Sequence, residues 1–344
     1  MAKTNPGNFF EDFRLGQVIE HATPRTVTEG DRAVYGAIYP TRFAVASSAP
    51  FAASCGLSPA PVEDLIAFHI AFGKTVPDVS LNAVANLGYA ECRFHRPVVP
   101  GDTISTSSEV IGLKQNSSGK TGVVWVRSTA RDQYGELVLD WARWVMVRKS
   151  DVDAPAPDTV VPDLAGVVAV DDLVVPAGLD FSGYDFTAAG EPHRWDDYAV
   201  GEKIDHVDGV TLTDAEHMLA TRLWQNTAKV HFNTSARDDG RRLIYGGHII
   251  SLARALSFNG LANAQLIAAI NGGSHTAPAF AGDTVYAWSE VLDKAETAAA
   301  GVGALRLRLV ATSGRDAAMT LRADDGKYTP EVLLDLDYWA FCPR

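Results

Sequence analysis

The sequence predicts an α+β fold built from two tandem copies of one domain, each an antiparallel sheet wrapped around a long helix. Two observations carry this reading. The first is an ordered repetition of motifs along the 344 residues. Phe10-Glu11-Asp12-Phe13-Arg14-Leu15-Gly16 returns as Trp195-Asp196-Asp197-Tyr198-Ala199-Val200-Gly201, and Thr26-Val27-Thr28-Glu29 as Thr211-Leu212-Thr213-Asp214. Pro97-Val98-Val99-Pro100-Gly101-Asp102-Thr103 returns as Pro278-Ala279-Phe280-Ala281-Gly282-Asp283-Thr284. Glu136-Leu137-Val138-Leu139-Asp140, with Trp144 after it, returns as Glu331-Val332-Leu333-Leu334-Asp335, with Trp339 after it. The second observation is that helix signals precede long runs of β-branched residues in both copies.

The elements follow in order. The first copy spans 1–149. Residues 150–190, rich in Pro and Asp, read as a linker draped over the surface. The second copy spans 191–344. Thr213-Asp214-Ala215-Glu216 has the spacing of a capping box and starts a helix; Thr28-Glu29-Gly30-Asp31 is its weaker counterpart. In the second copy Ile249, Leu252, Ala253 and Leu256 form one apolar helical face. Strands are expected over 83–95, 103–113, 121–131 and 136–148, and again over 264–272, 284–292, 303–312 and 332–342. Val123-Val124-Trp125-Val126-Arg127 and Leu305-Arg306-Leu307-Arg308-Leu309 show the alternation of half-buried strands. Residues 293–302 read as a hairpin loop. The second copy is longer between its Gly-Asp-Thr and its last strand, which implies longer loops there.

Bulk properties narrow the function. Hydrophobic residues make up 47 % and charged residues 21 % of the chain, an ordinary globular composition. No apolar run approaches the ~20 residues that cross a bilayer, and Met1–Gly7 lacks the apolar stretch of a leader, so a cytoplasmic protein is expected. A formal net charge of −12 argues against nucleic acid or an anionic membrane as partner. Local arginines, Arg93, Arg96, Arg241 and Arg242, could still hold an anionic small molecule. Cys55, Cys92 and Cys342 are scattered and form no CxxC pair, and the histidines show no HxxxH or HExxH spacing, so neither disulfides nor a metal site is expected.

The pattern Pro-x-x-x-Gly-Asp-Thr opening a strand, preceded by a long helix and repeated in tandem, resembles the MaoC-like hot-dog hydratases. Leu223-Trp224-Gln225-Asn226-Thr227-Ala228-Lys229-Val230-His231-Phe232 and Ile244-Tyr245-Gly246-Gly247-His248 strengthen the likeness. It implies a tandem double hot-dog acting on an acyl-CoA thioester, with coenzyme A entering as part of the substrate, no separate cofactor, and a homodimeric assembly. The implied reaction is reversible hydration of a short, branched enoyl-CoA such as mesaconyl-CoA.

Hydrating an enoyl thioester needs a base for water, an acid for Cα, and donors for the thioester oxygen as it takes enolate charge. The resemblance implies Asp-x-Asn-Pro-x-His for the first two and a Gly near a helix start for the third. Here the segment reads Asn226 to His231, so His231 is in place and the Asp position holds Asn226. Asn226 is no base; it can orient water or the imidazole, or simply form a turn. Either His231 makes both proton transfers, or a carboxylate arrives from elsewhere. Asp214 and Glu216 are candidates that also suit capping, and Asp238 and Asp239 read as solvated loop. Gly246 and Gly247 can present helix-start amides to an oxyanion. Tyr245 and His248 beside them can touch substrate or merely pack. Repeat alignment sets Ala46 opposite His231, Thr41 opposite Asn226 and Phe68 opposite Gly246, so the first copy is expected to be catalytically empty. The resemblance places Gly88, Tyr89, Arg93, Pro97 and Val98 along the acyl–pantetheine tunnel, with Arg93 or Arg96 meeting phosphate or carboxylate. The tryptophans, Trp125, Trp141, Trp144, Trp224 and Trp339, read as core. Two rival readings stand beside the hydratase: an acyl-CoA thioesterase, and a non-catalytic acyl-CoA-binding protein.

Overall fold

The computed structural model describes residues 3–314 and 319–344. Met1 and Ala2, part of the N-terminal stretch read above, and 315–318, within the long loop of the second copy, lie outside the described residues. The first copy runs β1 (Val18–Thr26), α1 (Glu29–Ile38), α2 (Asp64–Thr75), β2 (Ala83–Phe94), β3 (Thr103–Gln115), β4 (Thr121–Arg131) and β5 (Leu137–Arg148), with short helical turns between α1 and α2. The second runs β6 (Lys203–Thr211), α3 (Asp214–Leu223), α4 (Gly246–Leu256), β7 (Leu266–His275), β8 (Thr284–Glu296), β9 (Val302–Thr312) and β10 (Val332–Pro343). All ten strands form one sheet, in the order β1-β3-β4-β5-β2-β7-β10-β9-β8-β6. The copies join where β2 and β7 pair antiparallel, Tyr89 opposite Gly273 and Arg93 opposite Ala269. Helices α2 and α4 pack into the main hydrophobic core, which draws on both copies. No helix among the described residues is long and apolar enough to cross a membrane.

The repeated motifs make the same bonds twice. In each Gly-Asp-Thr turn the Asp carboxylate accepts a backbone N–H three residues back, Val99 to Asp102 at 3.0 Å and Phe280 to Asp283 at 2.8 Å. The hydroxyls of Thr26 and Thr103, and of Thr211 and Thr284, meet at 2.8 Å. This turn hands the chain into β3 or β8 and ties the neighbouring edge strand beside it.

Several expectations need correction. β1 and β6 carry no alternating apolar signal, because each buries a single residue, His21 or His206, and is otherwise largely exposed. α2 is buried on nearly every side, so it lacks the amphipathic period that marks α4. Thr28 makes the complete capping box, with Asp31 at its third helical position, whereas the Glu216 carboxylate takes the Thr213 hydroxyl itself. β8 extends through Glu296, so residues 293–296 belong to a strand. By helix starts, Asp64 stands opposite Gly246; Phe68 lies one turn further along α2. The tryptophans divide: Trp141, Trp224 and Trp339 are fully buried, Trp125 and Trp144 only partly.

The linker runs largely over the surface, but it is anchored rather than loosely draped. Val168, Leu179, Phe181, Tyr184 and Ala189 are buried in a second core with Val45, Phe51 and Cys55 of the first copy and Leu266 and Phe341 of the second. Pro and Asp suppress regular structure, but the apolar residues between them still seek burial. Phe181→Ala should therefore cost about 3–5 kcal/mol in a urea unfolding series. A cost under about 0.5 kcal/mol, the range of surface substitutions, would return the linker to the solvent.

Candidate active site

The loop after α3 begins with a turn that few side chains adopt. Gln225 has φ +52°, in the left-handed region, and this reverses the chain so that Asn226 faces inward. The turn fits against α2 only because position 73 is glycine: a Cβ there would lie 2.0 Å from the Trp224 carbonyl oxygen. The Asn226 Oδ1 accepts the Ala228 N–H at 2.9 Å, and its side chain lies beside the Tyr245 hydroxyl.

A single helical turn, Lys229–His231, then delivers the imidazole. His231 is 8 % exposed and lines a cavity of about 350 Å³. Its Nδ1 lies 2.7 Å from the Leu243 carbonyl oxygen, which can only accept, so Nδ1 carries the hydrogen and Nε2 keeps its lone pair. Burial pushes the His231 pKa down to about 4, partly opposed by that carbonyl. The ring is neutral at physiological pH and ready to take a proton.

Helix α4 opens beside it. Tyr245 is the N-cap residue without a side-chain cap, and its own N–H donates to Nε2 of His217 at 2.9 Å. The amides of Gly246 and Gly247 fall in the first turn, where a helix supplies no carbonyl to accept them. Gly246 lines the cavity, and a Cβ there would come 2.4 Å from the His275 ring. Gly247 sits behind it, pressed between Tyr245 and His69, and does not line the cavity.

The cavity belongs to both copies. Phe72, Tyr89 and Arg143 come from the first, and Asn226, His231, Gly246 and His275 from the second. Two of these carry no signal in the repeat pattern. His275, at the end of β7, meets the Tyr89 hydroxyl through Nε2 at 3.0 Å, and burial holds its pKa down at about 4. Arg143 sits on β5, and its one visible signal is a charge inside the otherwise apolar run Trp141–Val147.

The remaining candidates lie elsewhere. Of the tunnel residues only Tyr89 reaches the cavity. Gly88 packs under Trp144, and Arg93 pairs with Asp140 at 3.1 Å on the sheet. Pro97 and Val98 belong to the first copy's turn; their counterparts Pro278 and Ala279 are the ones that line the cavity. The Val98 carbonyl instead accepts the Val62 N–H. No carboxylate among the described residues lines the cavity: Asp214 pairs with Arg242, Glu216 with Thr213, and Asp239 with Arg237, while Asp238 is exposed. Arg96 is held by Asp102 and Asp132, and Arg241 stacks on Phe280. His248 is buried, with Nδ1 2.8 Å from the Tyr39 hydroxyl, and packs behind the site. Despite the gathering of histidines, no cluster among the described residues has the geometry to hold a metal ion.

In the first copy the linker packs against the corresponding segment. Beside the start of β7 it is held by hydrogen bonds: Tyr184 bonds Asn263 at 2.9 Å, and Gln265 receives the Val45 N–H at 2.9 Å while donating to Tyr184. Ala46 and Thr41 supply no imidazole or amide there. The Asp64 carboxylate, at the helix start, is bound to the Ile267 N–H at 2.8 Å.

The chain matches the family described as mesaconyl-CoA hydratase over residues 1–322. It is 68 % identical over 342 residues to a mesaconyl-CoA hydratase of Cereibacter sphaeroides, covering 99 % of this chain and 100 % of that one. It is 62 % identical over 348 residues to a β-methylmalyl-CoA dehydratase of Chloroflexus aurantiacus, covering 100 % and 99 %. The crystal structure of a MaoC domain protein dehydratase from Chloroflexus aurantiacus superposes with TM-score 0.98 at 61 % identity, covering 100 % and 99 %. A Mycobacterium tuberculosis protein described as having a double hotdog fold superposes at TM-score 0.77 with 29 % identity, covering 97 % and 98 %.

The histidines around the site make stability depend on pH. Burial pulls His217, His231 and His275 down to about 4, and His69 and His248 to about 3. Each folded value lies below the unfolded value of about 6.5, so between the two the unfolded chain binds more protons. Their contribution is fully present above pH ~6.5 and is lost as pH falls towards about 4. Melting temperature should fall steeply from pH 6.5 to pH 4.5 and stay level from 6.5 to 8; a flat acid limb would contradict the buried neutral rings.

Proposed function

The chain belongs to the mesaconyl-CoA hydratase family, and on that premise we propose that it interconverts mesaconyl-CoA and β-methylmalyl-CoA by reversible addition of water. It is a double hot-dog hydro-lyase. The observation that carries the mechanism is a neutral imidazole, anchored through Nδ1, facing the cavity beside a helix-start glycine.

In the hydration direction Nε2 of His231 takes a proton from water as the oxygen attacks Cβ. The π electrons move onto the thioester oxygen, where the Gly246 amide and the positive end of α4 stabilise the enolate charge. The enolate then takes a proton at Cα. The acid is the imidazolium just formed, made strong by the same burial that lowers its pKa. One imidazole thus serves both transfers, which suits a site whose cavity has no carboxylate. Asn226 holds the water's orientation and touches no reacting proton itself. Coenzyme A arrives with the substrate. A cytoplasmic setting is supported by three cysteines that are all free and buried.

His231→Ala should lower kcat by ~10²-fold or more with the fold intact, read from the change in enoyl thioester absorbance in both directions. A near-native rate would remove His231 from the mechanism. Asn226→Asp separates two roles. A slower enzyme is expected, because a carboxylate buried beside Tyr245 would protonate or repel enolate charge; a faster one would make Asn226 a degenerate general acid–base position.

A further inference from the structure

We infer that Arg143 binds the free carboxylate that the substrate carries on Cβ, and thereby sets which acyl groups the cavity accepts. This rests on the hydration reading above and goes further, because it assigns the recognition of the acyl tail.

Arg143 is 0 % exposed. Its Nη2 donates to the Thr75 hydroxyl at 2.7 Å and lies 3.5 Å from that of Ser80, both uncharged partners. Nε and Nη1 are buried and have no hydrogen-bond partner. The guanidinium lies 4.3 Å above the centre of the Phe72 ring, which supports it without neutralising it. A buried guanidinium without a carboxylate is costly to fold around. Other arginines of the same sheet are paired: Arg93 with Asp140, Arg306 with Asp337, and Arg308 with Asp335. Arg143 differs in that it lines the cavity, where no carboxylate among the described residues faces it. Burial lowers its pKa only to about 10, so it stays charged at neutral pH.

Its place in the cavity is the acyl end. The hydroxyls of Tyr89 and Tyr245 both feel its charge. Tyr245 in turn stacks edge-on to His231, with ring centres 5.5 Å apart, and Tyr89 bonds His275. Phe72, beneath the guanidinium, meets the Tyr245 ring at 6.2 Å, so two aromatic rings lie between the charge and the base. Mesaconyl-CoA bears its carboxylate on the carbon that receives the hydroxyl. Holding that carboxylate on Arg143 satisfies the unused donors with charge-assisted bonds and fixes Cβ against the water. An acyl group ending in methyl would leave the guanidinium unpaired, which is rejection as well as lost attraction.

The test compares mesaconyl-CoA with (E)-2-methylcrotonyl-CoA, which has methyl in place of the carboxylate. The native enzyme should favour mesaconyl-CoA by ~10³-fold or more in kcat/KM. Arg143→Gln should lower kcat/KM for mesaconyl-CoA by ~10²-fold or more and raise it for the methyl compound, whose rejection is relieved, with Arg143→Lys intermediate. Circular dichroism and melting check that the variants fold. Should they not fold, the native protein decides alone: succinyl-CoA should inhibit at least ~10-fold more tightly than butyryl-CoA. Equal losses on both substrates, or equal inhibition by succinyl- and butyryl-CoA, would overturn the inference. Failure of the hydration reading looks different. The native enzyme would then hydrate neither thioester, while the two inhibitors, read by displacement, would still report on Arg143.

Discussion

The antiparallel pairing of β2 with β7 is the constraint on which the rest depends. It converts two repeats into one sheet, and it sets strand β2 and helix α2 of the first copy against the loop and helix start of the second. Neither copy encloses a site by itself. The second brings the imidazole, the amide side chain and the open helix terminus; the first brings the aromatic floor and the guanidinium. Unpairing that seam would separate the charge from the base and open the cavity to water, raising the dielectric in which the enolate must form.

Burial does several jobs at once in this arrangement. It keeps His231 neutral, makes its conjugate acid strong, and removes the water that would screen the helix terminus. It also makes every polar atom near the site answerable for its partners. His231, Asn226 and Tyr245 each have a partner, in the Leu243 carbonyl, the Ala228 amide and the His217 imidazole. Among the lining residues Arg143 and Asn86 keep buried polar atoms without one, and of the two only Arg143 carries a charge, which points to what the cavity receives.

How much was legible in the sequence follows from where each signal lies along the chain. The long strands and α4 announce themselves through periodicity, because each buries one face. β1, β6 and α2 fall outside that logic: two are nearly all exposed and one is nearly all buried. His231, Asn226 and Gly246 are carried by short local motifs, and the structure gathers them around one cavity. Arg143 and His275 reach it from strands distant in sequence, so no local spacing reports them. The repeated Pro-x-x-x-Gly-Asp-Thr turn misled in an instructive way. Pro97 and Val98 match the pattern, yet Pro278 and Ala279 do the lining, because a duplicated motif cannot say which of its two copies faces the ligand. Pro and Asp content likewise spoke for a loose linker while its aromatics were filling a core.

Duplication within one chain also releases the two walls from symmetry. Counting from the matched Trp144 and Trp339, the position of Arg143 is held by Tyr338 in the other copy, itself fully buried. In an assembly of two identical short chains, any residue introduced into one wall would appear in the other, and an unpaired guanidinium would have to be tolerated twice. A fused gene lets a single substitution act once. One wall is then free to acquire a taste for dicarboxylic guests while its twin packs against the polypeptide that joins them.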